Sequence, residues 1–187
     1  MKYSWSLLVI VLMISFSSCD EKPSKQNTQV IGAQDSKDVQ PEPPKTLPYN
    51  LASRMRSSDD LTLLFAEIES SPILDQLTTD KGPFTIFAPS DEALEELDYL
   101  GDKMVIEDLL KKYMVKGKIT TVALTKKIRS NGGSYSMNTL GGTTLVAYKV
   151  GNIIFLKNLK GDKAEIGKSD IVASNGIIHV VKSPLDI

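Results

Sequence analysis

The sequence predicts an α+β domain in which helices of the first half pack on a mostly antiparallel β-sheet. Apolar residues recur with helical spacing as far as Ile128, whereas short β-branched runs separated by glycine turns dominate from Tyr135 onwards. The stretch over residues 47–187 is long enough for one hydrophobic core and too short for two. We therefore expect one domain over these residues.

Residues 1–18 have the pattern of an export signal. Lys2 supplies a positive start, and Leu7–Ile14 is an unbroken apolar run, shorter than the roughly 20 residues that a membrane-spanning helix needs. After Ser15, the four residues Phe16–Cys19 are similar to the lipobox of bacterial lipoproteins, in which a peptidase cuts before a cysteine whose thiol carries diacylglycerol. We expect a lipoprotein signal peptide and a lipid anchor on Cys19. The alternative is an ordinary secretory signal with an incidental cysteine.

Residues 19–46 have the composition of a disordered polar tether. The segment ends in Pro41-Glu42-Pro43-Pro44, and its large apolar side chains are Val30, Ile31 and Val39. So little apolar surface does not offset the entropy lost on ordering. We expect this tether to hold the domain away from the lipid surface, over about 30 Å by the statistics of a flexible coil.

Charge and cysteine content exclude two classes of protein. The formal net charge is −1, so no overall positive charge favours a nucleic-acid partner. Cys19 is the only cysteine, which excludes an intramolecular disulfide. The domain is therefore expected to depend on its hydrophobic core alone.

Helical patterns account for most of the first half of the domain. Asp59 or Asp60 is expected to cap the first of these helices and Thr121 the last, because short polar side chains accept hydrogen bonds from free N–H groups. The expected helices centre on Leu61–Ile68, Ile73–Leu77, Lys103–Lys112 and Thr121–Ile128.

A strand and a capped helix are expected in direct succession near the middle of this half. Phe84–Ala88 is an aromatic and β-branched run that ends at Pro89, which cannot donate to a β-ladder. Ser90 is expected to cap the following helix, with Asp91 in its first turn. The apolar stripe of that helix is expected to be Leu94, Leu97 and Leu100.

The second half alternates β-branched runs with turn residues. Gly141-Gly142, Gly151-Asn152 and Gly161-Asp162 lie between the runs and favour tight turns. The expected strands are Tyr135–Leu140, Thr143–Val150, Ile153–Lys157, Lys163–Ile166, Ile171–Ala173 and Ile177–Val181.

Two of these segments resemble the signature boxes of the fasciclin domain. Thr85–Leu94 is similar to the first box of that family, and Asn175–Val181, Asn-Gly-Ile-Ile-His-Val-Val, is similar to the last. The resemblance covers residues 47–187 and implies a fasciclin-like α+β fold, with N-terminal helices on a β-sheet wedge or sandwich. It further implies an adhesion or matrix-interaction role without catalysis or cofactor, with a protein or polysaccharide of the envelope or matrix as partner.

His179 is the only histidine and has two interpretations. It is either a base or metal ligand, or a packed and hydrogen-bonded strand residue, which the resemblance favours. A single imidazole leaves no histidine pair for zinc, and the domain lacks a Gly-x-Ser-x-Gly nucleophile motif. The acids that follow Ser90 do not have the spacing of a calcium loop, and we expect them on a solvated helix face.

Four residues are candidates for partner binding. In fasciclin domains a Tyr-His pair lies between the two boxes, in a region linked in some animal members to receptor binding. Tyr113 and Met114 occupy the similar position here, and methionine in place of histidine weakens the case for integrin recognition. Asp170 and Ile171 are similar to an Asp-Ile pair in animal adhesion motifs. The alternative for Tyr113 is packing against the first box, with its hydroxyl hydrogen-bonded.

A run of cations lies between the boxes. It offers either a site for an anionic glycan or lipid headgroup, or a solvated surface. The seven cations are Lys111, Lys112, Lys116, Lys118, Lys126, Lys127 and Arg129.

The sequence as a whole predicts a lipid-anchored binding module of the cell envelope, facing the periplasm or the exterior. The alternative is a periplasmic small-ligand or polysaccharide-binding protein.

Overall fold

The computed structural model describes residues 49–79, 82–97 and 103–185. The expected signal peptide, Cys19, the tether over residues 19–46, and Leu100 all lie outside the described residues. The described residues form helices α1 Leu51–Arg56, α2 Thr62–Glu69, α3 Ile73–Thr78, α4 Asp91–Glu95, α5 Lys103–Lys112 and α6 Thr121–Ser130. The strands are β1 Phe84–Pro89, β2 Met114–Lys116, β3 Ser134–Asn138, β4 Thr144–Val150, β5 Ile153–Lys157, β6 Lys163–Glu165, β7 Ile171–Ala173 and β8 Gly176–Val181.

The strands form two four-stranded sheets. One has the order β2-β1-β8-β7 and the other the order β3-β4-β5-β6. All neighbouring strands are antiparallel except β1 and β8. Two isolated bridges, Val115 with Thr139 and Ile166 with Val181, connect the sheets. The predicted α+β class with mostly antiparallel strands is confirmed.

The two signature segments form the central parallel pair of the first sheet. Ile86 pairs with Ile178 and Ala88 with Val180, and every residue of both strands is buried. Parallel neighbours cannot be joined by a hairpin, and here residues 90–175 form the connection. Burial on both faces explains why the two strands are mostly apolar instead of alternating with polar residues, with Thr85 and His179 as their buried polar side chains.

Two hydrophobic clusters cover the two faces of this sheet. Helices α1–α5 pack on the face that carries Ile86, Ala88, Ile178 and Val180. Phe87 and Val181 point the other way, into a second cluster shared with α6 and the second sheet. Because a strand alternates its side chains, one run of residues supplies both cores.

Two helix caps differ from those predicted. Neither Asp59 nor Asp60 caps α2; instead the Asp91 carboxylate accepts from the N–H groups of Thr62, at 3.1 Å, and Leu63, at 2.9 Å. The cap of α6 is Thr120 and not Thr121, since its Oγ1 accepts from Ala123 at 3.1 Å. A carboxylate from a distant segment can replace a local cap, and sequence periodicity does not register it.

The predicted cap of α4 is confirmed. Ser90 Oγ accepts from the Ala93 N–H at 3.2 Å. The helix itself is shorter than its apolar stripe predicts, since it ends at Glu95.

Among the described residues, none of the helices has both the length and the apolar character that crossing a bilayer requires.

Candidate functional site

Asn175 fixes the last signature segment to two helices. Its Oδ1 accepts from the Leu51 N–H at 2.8 Å, and its Nδ2 donates to the carbonyls of Leu77 at 2.9 Å and Thr79 at 2.8 Å. The side chain thereby serves the beginning of α1 and the end of α3, where helical N–H and C=O groups lack intrahelical partners. Asn175 itself is 3% exposed, so these bonds are shielded from water.

Gly176, the next residue, permits the close approach of β1 and β8. A Cβ atom there would lie 2.3 Å from the Phe84 carbonyl oxygen and 2.9 Å from Leu51 Cδ1. The Asn-Gly pair therefore has a packing role here besides its turn tendency.

Thr85 and His179 hold the loop between β2 and α6. Thr85 Oγ1 donates to the Gly117 carbonyl at 2.7 Å and accepts from the Ile119 N–H at 2.9 Å. His179 Nδ1 accepts from the Asp170 N–H at 3.2 Å, which leaves Nε2 as the donor to the Ile119 carbonyl at 2.8 Å. These bonds define the neutral Nε2–H tautomer of the imidazole.

Burial lowers the pKa of His179 below its usual 6.5, while the Ile119 hydrogen bond and the Asp170 charge oppose this shift. The ring also stacks on Phe87, with centroids 5.4 Å apart and an interplanar angle of 22°. The strand-histidine interpretation is confirmed, because the side chain is fully buried and both ring nitrogens have backbone partners.

Tyr113 and Met114 lie in the interior and present no surface to a partner. Both are fully buried, and the Tyr113 hydroxyl donates to the Leu185 carbonyl at 3.0 Å and accepts from the Leu185 N–H at 2.7 Å. The tyrosine thus ties the C-terminal segment to the core. Its packing interpretation fits this geometry, and a partner-binding role for either residue does not.

Asp170 precedes β7 and contacts the beginning of α6, whereas Ile171 is the first residue of β7. Asp170 adopts a left-handed φ of 57°, and its carboxylate accepts from the Thr121 N–H at 2.9 Å and from the Thr121 hydroxyl. Ile171 is half-buried, pairs with Ile178 and packs against the first hydrophobic cluster. Both residues therefore connect elements of the domain in this structure.

The acids near α4 divide between two environments. The Asp91 carboxylate caps α2, which corrects the prediction of a solvated position for it, whereas Glu92, Glu95 and Glu96 are exposed. Nowhere in the described ranges do three His, Cys, Asp or Glu side chains gather closely enough to hold a metal ion.

A groove of about 1070 Å³ runs between α6, the β4–β5 turn and the segment that follows β6. Its walls carry five cations and a single carboxylate, that of Glu165, which pairs with Lys182. Lys168 pairs with Asp60 at 3.0 Å. The five cations are Lys126, Arg129, Lys149, Lys168 and Lys182.

The predicted run of seven cations is divided in space. Lys126 and Arg129 face the groove, but Lys127 lies over the Tyr135 ring at 4.7 Å and Lys111 pairs with Glu107 at 2.6 Å. The other three groove cations come from distant parts of the chain and were missed by the sequence analysis. A lysine on a strand end or in a loop has no local pattern that signals its neighbours.

The paired central strands β1 and β8, whose signature side chains make hydrogen bonds in the interior, define a fasciclin-type α+β domain. The fasciclin domain family model matches residues 59–187. The chain belongs to this family.

Relatives include human periostin, 32% identical over 137 residues, which make up 70% of this chain and 15% of periostin. Protein sll1483 of Synechocystis is 28% identical over 132 residues, 66% of each chain. The chain thus spans a small part of periostin's length. Among solved structures, a FAS1 domain pair from the insect cell adhesion molecule fasciclin I matches with a TM-score of 0.61 at 19% identity, over 74% of this chain and 51% of that one. That likeness concerns the fold.

Proposed function

We propose that this protein is a lipid-anchored adhesion or matrix-binding module of the cell envelope. Cys19 carries the lipid, residues 19–46 provide reach, and the domain over residues 47–187 presents a binding surface to a protein or polysaccharide. Two acyl chains on one residue are enough for lasting attachment to a membrane, whereas one chain gives only reversible binding.

The observation that carries the proposal is the use of the family's signature side chains inside the fold. Asn175 and His179 of the last box, and Tyr113 between the boxes, all have backbone partners in the interior, so substrate chemistry at these positions has no support. Membership of the fasciclin family favours binding over catalysis. A partner then meets exposed residues outside the signature boxes.

Anchoring is tested by growing cells that express the chain with a clickable fatty acid. Incorporation of the label into the full chain and its loss in Cys19→Ala are expected, because the thiol is the acceptor. Ser24→Ala in the tether is the matched control and should label normally. Equal labelling of Cys19→Ala would contradict the anchor.

Adhesion is tested with cells that keep residues 1–46 and lack residues 47–187. They should adhere to matrix or neighbouring cells less than cells with the whole chain, although anchor and tether are intact. In vitro, the chain from Asp20 onwards should bind cell-envelope fractions saturably. A linear, unsaturable uptake would refute the proposal.

The second candidate is a periplasmic small-ligand or polysaccharide-binding protein. The observation behind it is the groove of about 1070 Å³, which is close to the upper end of the roughly 300–1,000 Å³ typical of ligand pockets. A melting temperature that rises with a small neutral ligand would support this candidate.

A further inference from the structure

We propose that the groove beside α6 binds a linear anionic polysaccharide, one that bears carboxylate or sulfate groups. This inference rests on the proposed function and names its surface and partner class. The groove is defined by α6, the β4–β5 turn and the residues after β6 and β8.

The charge of the groove is the first argument. Within the described part of the chain, Lys126, Arg129 and Lys149 make no ion pair. The carboxylate of Glu165 pairs with Lys182, and that of Asp170 is directed at the beginning of α6. The groove is therefore locally positive although the whole chain has a net charge of −1. Such a local excess attracts a polyanion, and a guanidinium can bind a carboxylate or sulfate through two parallel hydrogen bonds.

The arrangement of the cations is the second argument. Lys126 and Arg129 lie one turn apart on α6, and Lys149, near the end of β4, lines the same groove. Cations from separate elements along one groove suit a ligand that carries several anionic groups along its length. A sugar chain with one acidic group on each residue or each second residue has this distribution.

The remaining lining suits sugar rings. Val122 is 78% exposed and Ile153 is 44% exposed, and both line the groove. Their aliphatic surfaces can cover the C–H faces of a ring. Thr125, Asn152 and Ser169 add hydroxyl and amide groups that exchange hydrogen bonds with sugar hydroxyls.

Shape distinguishes this ligand from other anions. A bilayer is flat and would meet only the rims of a groove, whereas one polymer chain can enter it. A nucleic acid without sequence preference would need aromatic side chains for base stacking, and the groove lining contains none. An acidic peptide in a groove is usually held by several apolar anchors. The groove lining has two exposed large apolar side chains, Val122 and Ile153, which are too few for this kind of anchoring.

The test measures binding of the chain from Asp20 onwards by calorimetry. This chain keeps all the residues of both hydrophobic clusters, and therefore the complete core of the domain. The probes are alginate and dextran sulfate, with neutral dextran of equal length as the control. Polyglutamate and vesicles containing phosphatidylglycerol represent the competing ligand classes.

The groove variant carries Lys126→Gln, Arg129→Gln and Lys149→Gln. Its matched control carries Lys116→Gln, Lys118→Gln and Lys163→Gln, which remove the same charge from exposed positions outside the groove. We expect alginate or dextran sulfate to bind the groove variant about tenfold more weakly, since each exposed ionic contact contributes a small factor. The control should stay within about twofold, and binding to the unchanged chain should weaken with salt.

The apolar part of the groove has its own matched pair. Val122→Ser should weaken binding about threefold through loss of ring contact, since surface aliphatic contacts are modest. Leu159→Ser changes a side chain of equal exposure, 79%, outside the groove and should leave binding unchanged.

Lysine acetylation gives a readout that needs no variant. Bound alginate should protect Lys126 and Lys149 from the reagent and leave Lys116 and Lys118 reactive. Equal protection of all four lysines would overturn the proposal.

Several other outcomes would also overturn it. These are no binding of either anionic polymer, equal losses in the groove variant and its control, and tighter groove-dependent binding of polyglutamate or vesicles. If envelope fractions still bind saturably in any of these cases, the proposed function stands and only the groove assignment fails. If envelope fractions do not bind either, both fail.

Discussion

The centre of the first sheet and the groove beside α6 differ in how their polar groups are paired. Around β1 and β8, the side chains of Asn175, Thr85 and His179 are buried, and each has two or three hydrogen-bond partners. In the groove, Lys126 and Arg129 are exposed and no ion pair is described for them. The signature residues thus build the fold, and the residues free to meet a partner lie elsewhere.

Truncation of the Phe87 side chain in the central strand β1 should have the largest effect on stability. Phe87 is fully buried and stacks on His179, so Phe87→Ala should lower the free energy of unfolding by about 3–5 kcal/mol. Urea denaturation followed by circular dichroism measures this. Leu159→Ala, at a side chain that is 79% exposed, is the control and should be near neutral. A small effect at Phe87 would mean that β1 contributes little to the core.

Removal of the Asn175 amide should have the next largest effect. Asn175→Ala leaves the Leu51 N–H and two carbonyls without this partner, and we expect a loss of about 2–4 kcal/mol from buried unsatisfied groups. Asn152→Ala, at an exposed position, should change stability by less than about 0.5 kcal/mol. Similar values for the two variants would remove the contrast between core and groove.

The buried imidazole should make stability depend on pH. Burial lowers the folded-state pKa of His179, so the unfolded chain binds more protons below pH 6.5 and acidification favours it. The contribution of neutral His179 to the free energy of unfolding is complete above pH 6.5, and it is lost as the pH falls towards and through the lowered folded-state pKa. The slope for one proton is at most about 1.4 kcal/mol per pH unit. Denaturation at several values between pH 5 and 7.5 measures it.

The control for this pH dependence is His179→Asn, which removes the titrating group. That variant should be less stable at pH 7.5 but should show a flatter profile down to pH 5. If both proteins have the same slope, other groups cause the pH dependence.

Neutralising the groove should have the smallest effect on stability. Lys126→Gln and Arg129→Gln should each change the free energy of unfolding by less than about 0.5 kcal/mol, because these exposed cations have no described ion partner. Thermal denaturation measures this. A large loss of stability would mean that Lys126 and Arg129 also stabilise the fold. The groove and the centre of the first sheet would then not differ in the way described above.

Local patterns predicted most elements of the fold. The bounds predicted for α5, β5 and β7 agree with the structure, and Ser90 caps α4 as expected. Each of these features depends on residues that are close together in the sequence. Side-chain periodicity and capping chemistry are therefore enough to predict them. Helix α1 was missed by the sequence analysis, although Asn50 caps it by accepting from the Ser53 N–H.

The candidate site was less predictable. Tyr113 and Met114 were candidates because of the family's receptor-binding region, and the structure buries both. Lys149, Lys168 and Lys182 carry no motif, yet they face the same groove as Lys126.

The sequence alone determined the class of fold, the place of the two signature strands and the absence of an intramolecular disulfide. These features follow from side-chain period, turn chemistry and the count of cysteines. Folding in three dimensions decided that β1 and β8 run parallel, that Asp91 caps α2 and that cations from four segments share one groove. The physical reason is that local sequence sets which face of an element is apolar, whereas packing of the whole core selects which distant elements meet.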